Sequence, residues 1–257
     1  MCNLDKVTIG IKSFLRLNKL GKALQGIQDN LPECKVIVAD DGYGSFCVEL
    51  FELFHDTNVN LIGLDFDKGF GYKSNVIAQA VRTPYLLIGS DDFDFSPISV
   101  RKGIVELVRV LDTYSNIDIA SGRVDGRRYE FNLIENGDTI IEERVEPLNG
   151  RFTFCDLTVN YSLIRREVFR RVQWDNDVKI GGGEHGAFFV DCKRAGFVTT
   201  YVPGVNINTQ RERDSGEYQN YRNRALSSER PCFAKRGIKK YILGDGTVDY
   251  DESTSSR

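Results

Sequence analysis

The sequence predicts an α/β fold built on a Rossmann-like, mostly parallel sheet with helices on both faces. Three observations point to it. Short β-branched runs recur through the first half, amphipathic segments separate them, and polar or acidic residues follow each run at its carboxyl end.

The first run, KVTIGIKS at 6–13, has the length and composition of a strand. In LNKLGKALQGIQDNL at 17–31, Leu17, Leu20, Leu24, Ile27 and Leu31 recur at gaps of three and four, which places them on one helical face. KVIVAD at 35–40 reads as strand, CVELFELF at 47–54 as helix, VNLIGL at 59–64 as strand, SNVIAQAV at 74–81 as helix and YLLIG at 85–89 as strand. Strands separated by helices are joined by crossovers and therefore run parallel. Ser96 and Pro97 supply an N-cap and a first helical position for ISVRKGIVELVRVL at 98–111.

The second half is mixed. IDIASGR at 117–123 is a strand, two alternating runs flank Asn136-Gly137 within 127–145 as a hairpin, and FTFCDLTVN follows at 152–160. Phe188, Phe189, Cys192 and Ala195 form a helical stripe of core character. The segment 211–241 interleaves arginine and lysine with tyrosine, and 245–257 is a polar tail expected to be disordered. One domain over 1–244 accounts for these elements.

Composition narrows the function classes. With 257 residues, 41% hydrophobic and a net charge of −3, the chain suits one α/β domain and shows no general affinity for nucleic acid or anionic membrane. Its six cysteines contain no CxxC pair, so they read as reduced thiols rather than a zinc site or a disulfide framework. No segment approaches the roughly 20 apolar residues of a membrane span, and the N-terminus lacks a basic region followed by an apolar one. A cytoplasmic protein is expected.

In parallel sheets ligands collect at the carboxyl ends of the strands. There the chain places KSFLR, DDGYG, DFDKGFGYKSN and SDDFDF in turn. Asp91, Asp92 and Asp94 fall within four positions, and carboxylates so close repel one another unless a cation or several donors compensate. The glycine and distal glutamate of a calcium loop are missing, so Mg²⁺ or Mn²⁺ completed by substrate phosphates fits better. GGGEHG at 181–186 formally matches GxGxxG, but 175–180 is a poor strand and the run ending at Gly204 carries no acid, which argues against a dinucleotide site.

VTIGIKSFLRLNKLGKALQGI, VIVADDG, SDDFDF and GEHGAFFVDCKRAGF, in this order over roughly residues 5–210, resemble the inverting family 2 glycosyltransferases of GT-A fold. Within them the chain is most similar to the branch resembling β-1,4-N-acetylgalactosaminyltransferases. The resemblance implies a nucleotide-binding half over about 1–112 and an acceptor-binding half over about 113–244 that includes the hairpin. It implies that Ser13, Phe14 and Arg16 line the nucleotide pocket, that Asp40 or Asp41 accepts from the uracil of a UDP-sugar, and that Lys73 and Asn75 stand at its Arg-Asn pair. Asp92 falls at the metal-ligand position, with Asp91 and Asp94 competing for the neighbouring roles. Trp174, Asp175 and Gly183 are placed at the acceptor pocket. An inverting transfer needs a base for the acceptor hydroxyl, and Glu184 is the first candidate, His185 the second.

The chain departs from that pattern at Ser90, where the first of three acids usually stands, at Ala187, where an acid precedes the paired aromatics, and at Thr209, near a family histidine. The expected function is a Mn²⁺- or Mg²⁺-dependent transfer from a nucleotide sugar to a hydroxyl of a glycan, lipid or protein. The alternatives are a glycosyltransferase acting on a hydroxylated base in nucleic acid, a nucleotidyltransferase, and a non-catalytic nucleotide-sugar-binding relative.

Overall fold

The computed structural model describes residues 4–42, 58–146, 150–179, 183–226 and 231–253. Strands β1 (Val7–Ser13), β2 (Lys35–Asp40), β3 (Val59–Gly63) and β4 (Tyr85–Ser90) pair in parallel in the order β3-β2-β1-β4. Helices α1 (Leu17–Asn30) and α2 (Phe70–Ala80) are the crossovers after β1 and β3. The helix expected at 47–54 lies outside the described residues. Because the chain moves outward from β1 to β2 and β3 and then returns to β4 on the other side, the strand order reverses between β1 and β4. The crevice beyond their carboxyl ends is the place where such sheets bind ligands.

β10 (Ser162–Arg165) continues the sheet antiparallel to both β4 and β6 (Ile119–Val124). β11 (Thr199–Thr209) runs parallel to β6 and pairs antiparallel with β5 (Phe93–Asp94) and β9 (Thr153–Cys155). The insertion of β10 between β4 and β6 is not visible in the sequence, where four residues are too few to show a period.

Alternation along the central strands divides the core between two layers. Ile9, Ile11, Val36, Val38 and Leu87 face Leu20, Leu24, Ile104 and Leu107 of α1 and of α3 (Ile98–Thr113). Ile37, Ala39, Leu86 and Ile88 face Ile77 of α2 and Phe188, Phe189 and Val190 of α4 (Glu184–Arg194). A sheet covered on both faces needs continuous apolar strands, which the sequence supplies. Lys12 is the exception: it follows Gly10 on the face that carries α2 and α4.

Two helix starts differ from expectation. Helix α2 begins at Phe70 rather than 74, because the Phe70 and Gly71 amides donate to the Lys179 and Val178 carbonyls at 2.8 and 3.3 Å. Gly69 precedes them with φ 97°, and a Cβ there would lie 2.9 Å from Lys179 Cα. Pro97, not Ser96, is the N-cap of α3, with no side-chain cap; Ser96 instead donates its N–H and Oγ–H to Asp94 at 3.0 and 2.6 Å.

The hairpin forms as expected from β7 (Phe131–Asn136) and β8 (Thr139–Arg144), with Gly137 at φ 62° in the turn. Beyond α5 (Gly216–Leu226) and α6 (Pro231–Ala234), β12 (Lys240–Ile242) joins β8 in parallel and β13 (Val248–Asp251) pairs with β12. The expectation of a disordered tail from 245 is therefore wrong over Val248–Asp251. The physical reason is Tyr250, 7% exposed and 5.7 Å from the ring of Phe233, one buried aromatic in an otherwise polar segment. Among the described residues no helix is long and apolar enough to cross a membrane.

Replacing Tyr250 with alanine is expected to destabilise the fold by about 3 kcal/mol in urea unfolding, as loss of a buried aromatic does. An unstructured tail would leave the midpoint unchanged.

Candidate active site

Three loops meet at the crevice between β1 and β4. After β1, Leu15 adopts φ 55°, an unfavourable left-handed conformation for a branched residue. It turns Arg16 toward the end of β4. Arg16 Nε donates to Asp91 at 3.1 Å, a second nitrogen reaches the other oxygen of Asp91, and Nη1 donates to Asp92 at 3.0 Å. The guanidinium also lies 4.4 Å from the Tyr218 ring centroid and 3.6 Å from Asp214, which accepts from Lys19 at 2.7 Å.

The two aspartates differ in consequence. Asp91 is fully buried, and burial raises its pKa despite Arg16. Asp92 keeps 21% of its side chain exposed; burial acts against its charge, but Arg16, Ser90 and Lys19 outweigh it and hold the pKa below the usual carboxylate value. It is the ionised, accessible carboxylate of the motif. Asp94 has a protein partner of its own. Its carboxylate serves Ser96, and it borders a separate cavity of about 880 Å³ with Lys22, Asp125 and Asn208.

After β2, Asp41 is also committed. It accepts from the Gly69 amide at 2.7 Å and from Lys73, which in turn donates to the Ser13 carbonyl at 3.0 Å. Lys73 therefore locks α2 to the ends of β1 and β2. Asp40 accepts from the Gly42 amide at 3.0 Å and from Ser13, and burial raises its pKa. Of the two uracil candidates, Asp40 is the less committed. Phe14 forms an aromatic trio with Phe66 and Tyr221, at 5.5 and 5.1 Å from its ring, beside these groups.

Asn75 grips the 174–176 segment. Its amide donates to the Trp174 carbonyl and to Asn176, both at 2.8 Å, and its oxygen accepts from the Trp174 amide at 2.9 Å. Asn75 thus clamps the 174–176 segment to α2. Trp174 and Asp175 have protein partners as well. The indole stacks on Phe188 at 4.1 Å in the core, and Asp175 pairs with Lys235 and Arg236.

The clamp leads the chain toward α4. Gly183 is its N-cap at φ 81°, and Glu184 opens the first turn. Gly186 lets the helix approach Tyr241, since a Cβ there would lie 2.8 Å from the phenol oxygen. The small sheet therefore sets the height of α4. His185 packs edge-on against Phe70 at 5.5 Å, and burial pushes its pKa down, toward a neutral imidazole.

Lys12 is the residue the sequence reading missed. It pairs across the sheet with Ser90, lies 4.5 Å from the Phe70 ring centroid and is 7% exposed. Burial, aided by neighbouring Lys73, pushes its ammonium down to about 7. Its Nζ has no hydrogen-bond partner among the described residues, and neither has Oε2 of Glu184, which is 8% exposed. The available signal was a charged residue inside an otherwise apolar strand, VTIGIKS.

The donor set decides which metal mode is compatible. Among the described residues no three His, Cys, Asp or Glu side chains converge as a metal site. Asp92, held in its ionised form and partly exposed, is a hard oxygen donor of the kind that holds Mg²⁺ or Mn²⁺ when phosphates and waters complete the shell. The residues fit that sparse mode and not a protein-only cage.

Comparison of the whole chain places this arrangement. It superposes on the mannosyltransferase PcManGT from Pyrobaculum calidifontis, solved with GDP-Man and Mn²⁺, with a TM-score of 0.61 at 12% identity over 90% of this chain and 69% of that one. For GalNAc-T7 with UDP, GalNAc and Mn²⁺ the TM-score is 0.63 at 11% identity, over 91% and 49%. The fold is that of the GT-A glycosyltransferases. By sequence the GT-A chain is a relative of β-1,4 N-acetylgalactosaminyltransferase 2 from Mus musculus, 36% identical over 213 residues, covering 79% of this chain. It spans 39% of that relative's length. No family model matches it.

Removing Arg16 as Arg16→Met leaves Asp91 buried without its partner and is expected to destabilise by about 3 to 5 kcal/mol. Lys12→Met removes an unpartnered buried cation and is expected to stabilise the ligand-free protein by about 1 to 2 kcal/mol. Denaturant midpoints of the two variants should move in opposite directions.

Proposed function

We propose that the chain is the catalytic part of a metal-dependent inverting glycosyltransferase, which moves a sugar from a UDP-linked donor to an acceptor hydroxyl. The observation that carries the reading is the start of α4, where Glu184 keeps a buried, unpartnered Oε2 and lies, like Asp91 and Asp92, close enough to Lys12 to act on its charge. The GT-A fold and the acetylgalactosaminyltransferase relative support a nucleotide-sugar donor, and the relative's name makes N-acetylgalactosamine the first sugar to test.

The residues divide the work as follows. Phe14, with Phe66 and Tyr221 beside it, offers an apolar surface for the base, and Asp40 stands next to it to accept from the ring. Asp92 would hold Mn²⁺ or Mg²⁺, which when bound neutralises charge on the donor's diphosphate. Arg16 keeps Asp91 and Asp92 in register. Glu184 takes the proton of the acceptor hydroxyl as that oxygen attacks the anomeric carbon. His185, neutral and packed on Phe70, is the weaker base and positions the helix start. We assign the nucleotide half to about 1–112 and the acceptor half to about 113–244, the division that the resemblance implies.

UDP with Mn²⁺ is expected to raise the melting temperature more than UDP alone, and Asp92→Ala should remove the Mn²⁺-dependent part. Glu184→Gln should keep that stabilisation and lose about 100-fold or more in transfer from UDP-N-acetylgalactosamine, the scale of a general base. A screen of UDP-, GDP- and dTDP-sugars in which no nucleotide shifts the melting curve would remove the reading.

A further inference from the structure

We infer that Lys12 is a catalytic ligand of the donor's diphosphate, bonding the phosphate oxygen that leaves the sugar, and that Lys12 and Glu184 mark opposite ends of the displacement. The inference rests on the glycosyltransferase reading above and assigns a role to a residue that the motif pattern did not supply.

The Glu184 carboxylate lies close enough to Lys12 to favour its charged form, against burial and the neighbouring Lys73. Yet neither uses the other as a hydrogen-bond partner: Lys12 Nζ and Glu184 Oε2 are both buried and unsatisfied among the described residues. Two such atoms cost stability, because each has lost water without gaining a partner. They are explained together if a ligand enters between them. The neighbours supply no alternative. Asp91 and one oxygen of Asp92 accept from Arg16, and Asp41 accepts from Lys73 and Gly69. Lys12 also meets the face of Phe70, and the neighbouring His185, which burial pushes toward the neutral imidazole, gives its Nζ no hydrogen bond among the described residues.

An anion is the ligand that such a lysine selects. A sugar hydroxyl would satisfy one N–H, but it would leave a cation in a dry site next to Lys73 without compensating charge. A diphosphate supplies both acceptor and charge. The position agrees: Lys12 pairs in register with Ser90, immediately before Asp91 and Asp92, on the sheet face that also carries α2 and α4. In the single displacement, the acceptor oxygen bonds the anomeric carbon as the bond from that carbon to the terminal phosphate oxygen breaks. The electron pair stays on that phosphate oxygen, where the Lys12 N–H bonds it. The acceptor proton goes to Glu184, and Lys12 keeps its own proton throughout. The role also compensates for Ser90 and Thr209, which stand where acidic and histidine residues occur in the resembling family: part of the leaving-group charge is met by a protein cation.

The test compares Lys12→Met with the natural chain by calorimetric titration of UDP and of UMP, each with Mn²⁺ and with chelator. The terminal phosphate is absent from UMP, so a ligand of that phosphate changes the ratio of the two affinities. The expected result is a UDP to UMP affinity ratio lowered by about 10- to 100-fold, the scale of a charge-assisted hydrogen bond, in both metal conditions. A ratio left unchanged, whether the two affinities hold or fall together, overturns the inference, because a structural role moves both nucleotides alike. If the natural chain binds UDP and the ratio is unchanged, only the Lys12 assignment falls. If the natural chain binds neither nucleotide, the transferase reading falls with it.

Discussion

Arg16 holds the site together through a fully buried carboxylate. Asp91 has no water, and burial opposes its ionisation; two hydrogen bonds from one guanidinium make the position tolerable. The same guanidinium reaches Asp92, approaches Asp214 and lies against Tyr218. One side chain thereby joins the end of β1, the end of β4 and the segment before α5. Its aim depends on the left-handed backbone of Leu15, so strain in one residue is balanced by a network of charged partners.

A second network works through the backbone. Asp41, Lys73 and Gly69 tie α2 to the sheet, Phe70 and Gly71 tie it to 178–179, and Asn75 ties it to Trp174 and Asn176. From there the chain has only a short path to Gly183 and the start of α4. The position of Glu184 is thus set from two sides, by α2 through the clamp and by β12 through the Tyr241 contact at Gly186. Groups that looked like ligands in the sequence, Lys73 and Asn75 above all, serve the placement of others. What they leave behind is a crevice whose uncommitted atoms are few: the exposed part of Asp92, one oxygen of Glu184 and the ammonium of Lys12.

The small sheet has a comparable role. Its hairpin was legible from Asn136-Gly137, but the strands that complete it come from about 100 residues later. Tyr241 both donates to Glu142 at 2.9 Å and packs on α4. A polar C-terminal segment therefore buttresses the helix that carries the candidate base, through two aromatic residues that composition alone underweights.

The sequence by itself determined the layer architecture, the strand ends at which a ligand would sit, and the chemistry gathered there. Period and β-branching decide burial locally, and burial on both faces requires parallel strands with crossover helices. It also singled out Asp92 and Glu184 as candidates, because an acid at a strand end and an acid at a glycine-preceded helix start carry their own local signatures. Only the tertiary structure decided which charged groups are already spent. Asp91, Asp94, Asp41 and Lys73 look alike on the page, and what separates them is a partner 30 to 75 residues away or, for Asp94, two residues on. Lys12 shows the converse. Its side chain is exceptional only because burial and neighbouring elements leave it without a partner, and hydrogen-bond vacancy is a property of three-dimensional packing that no linear pattern records.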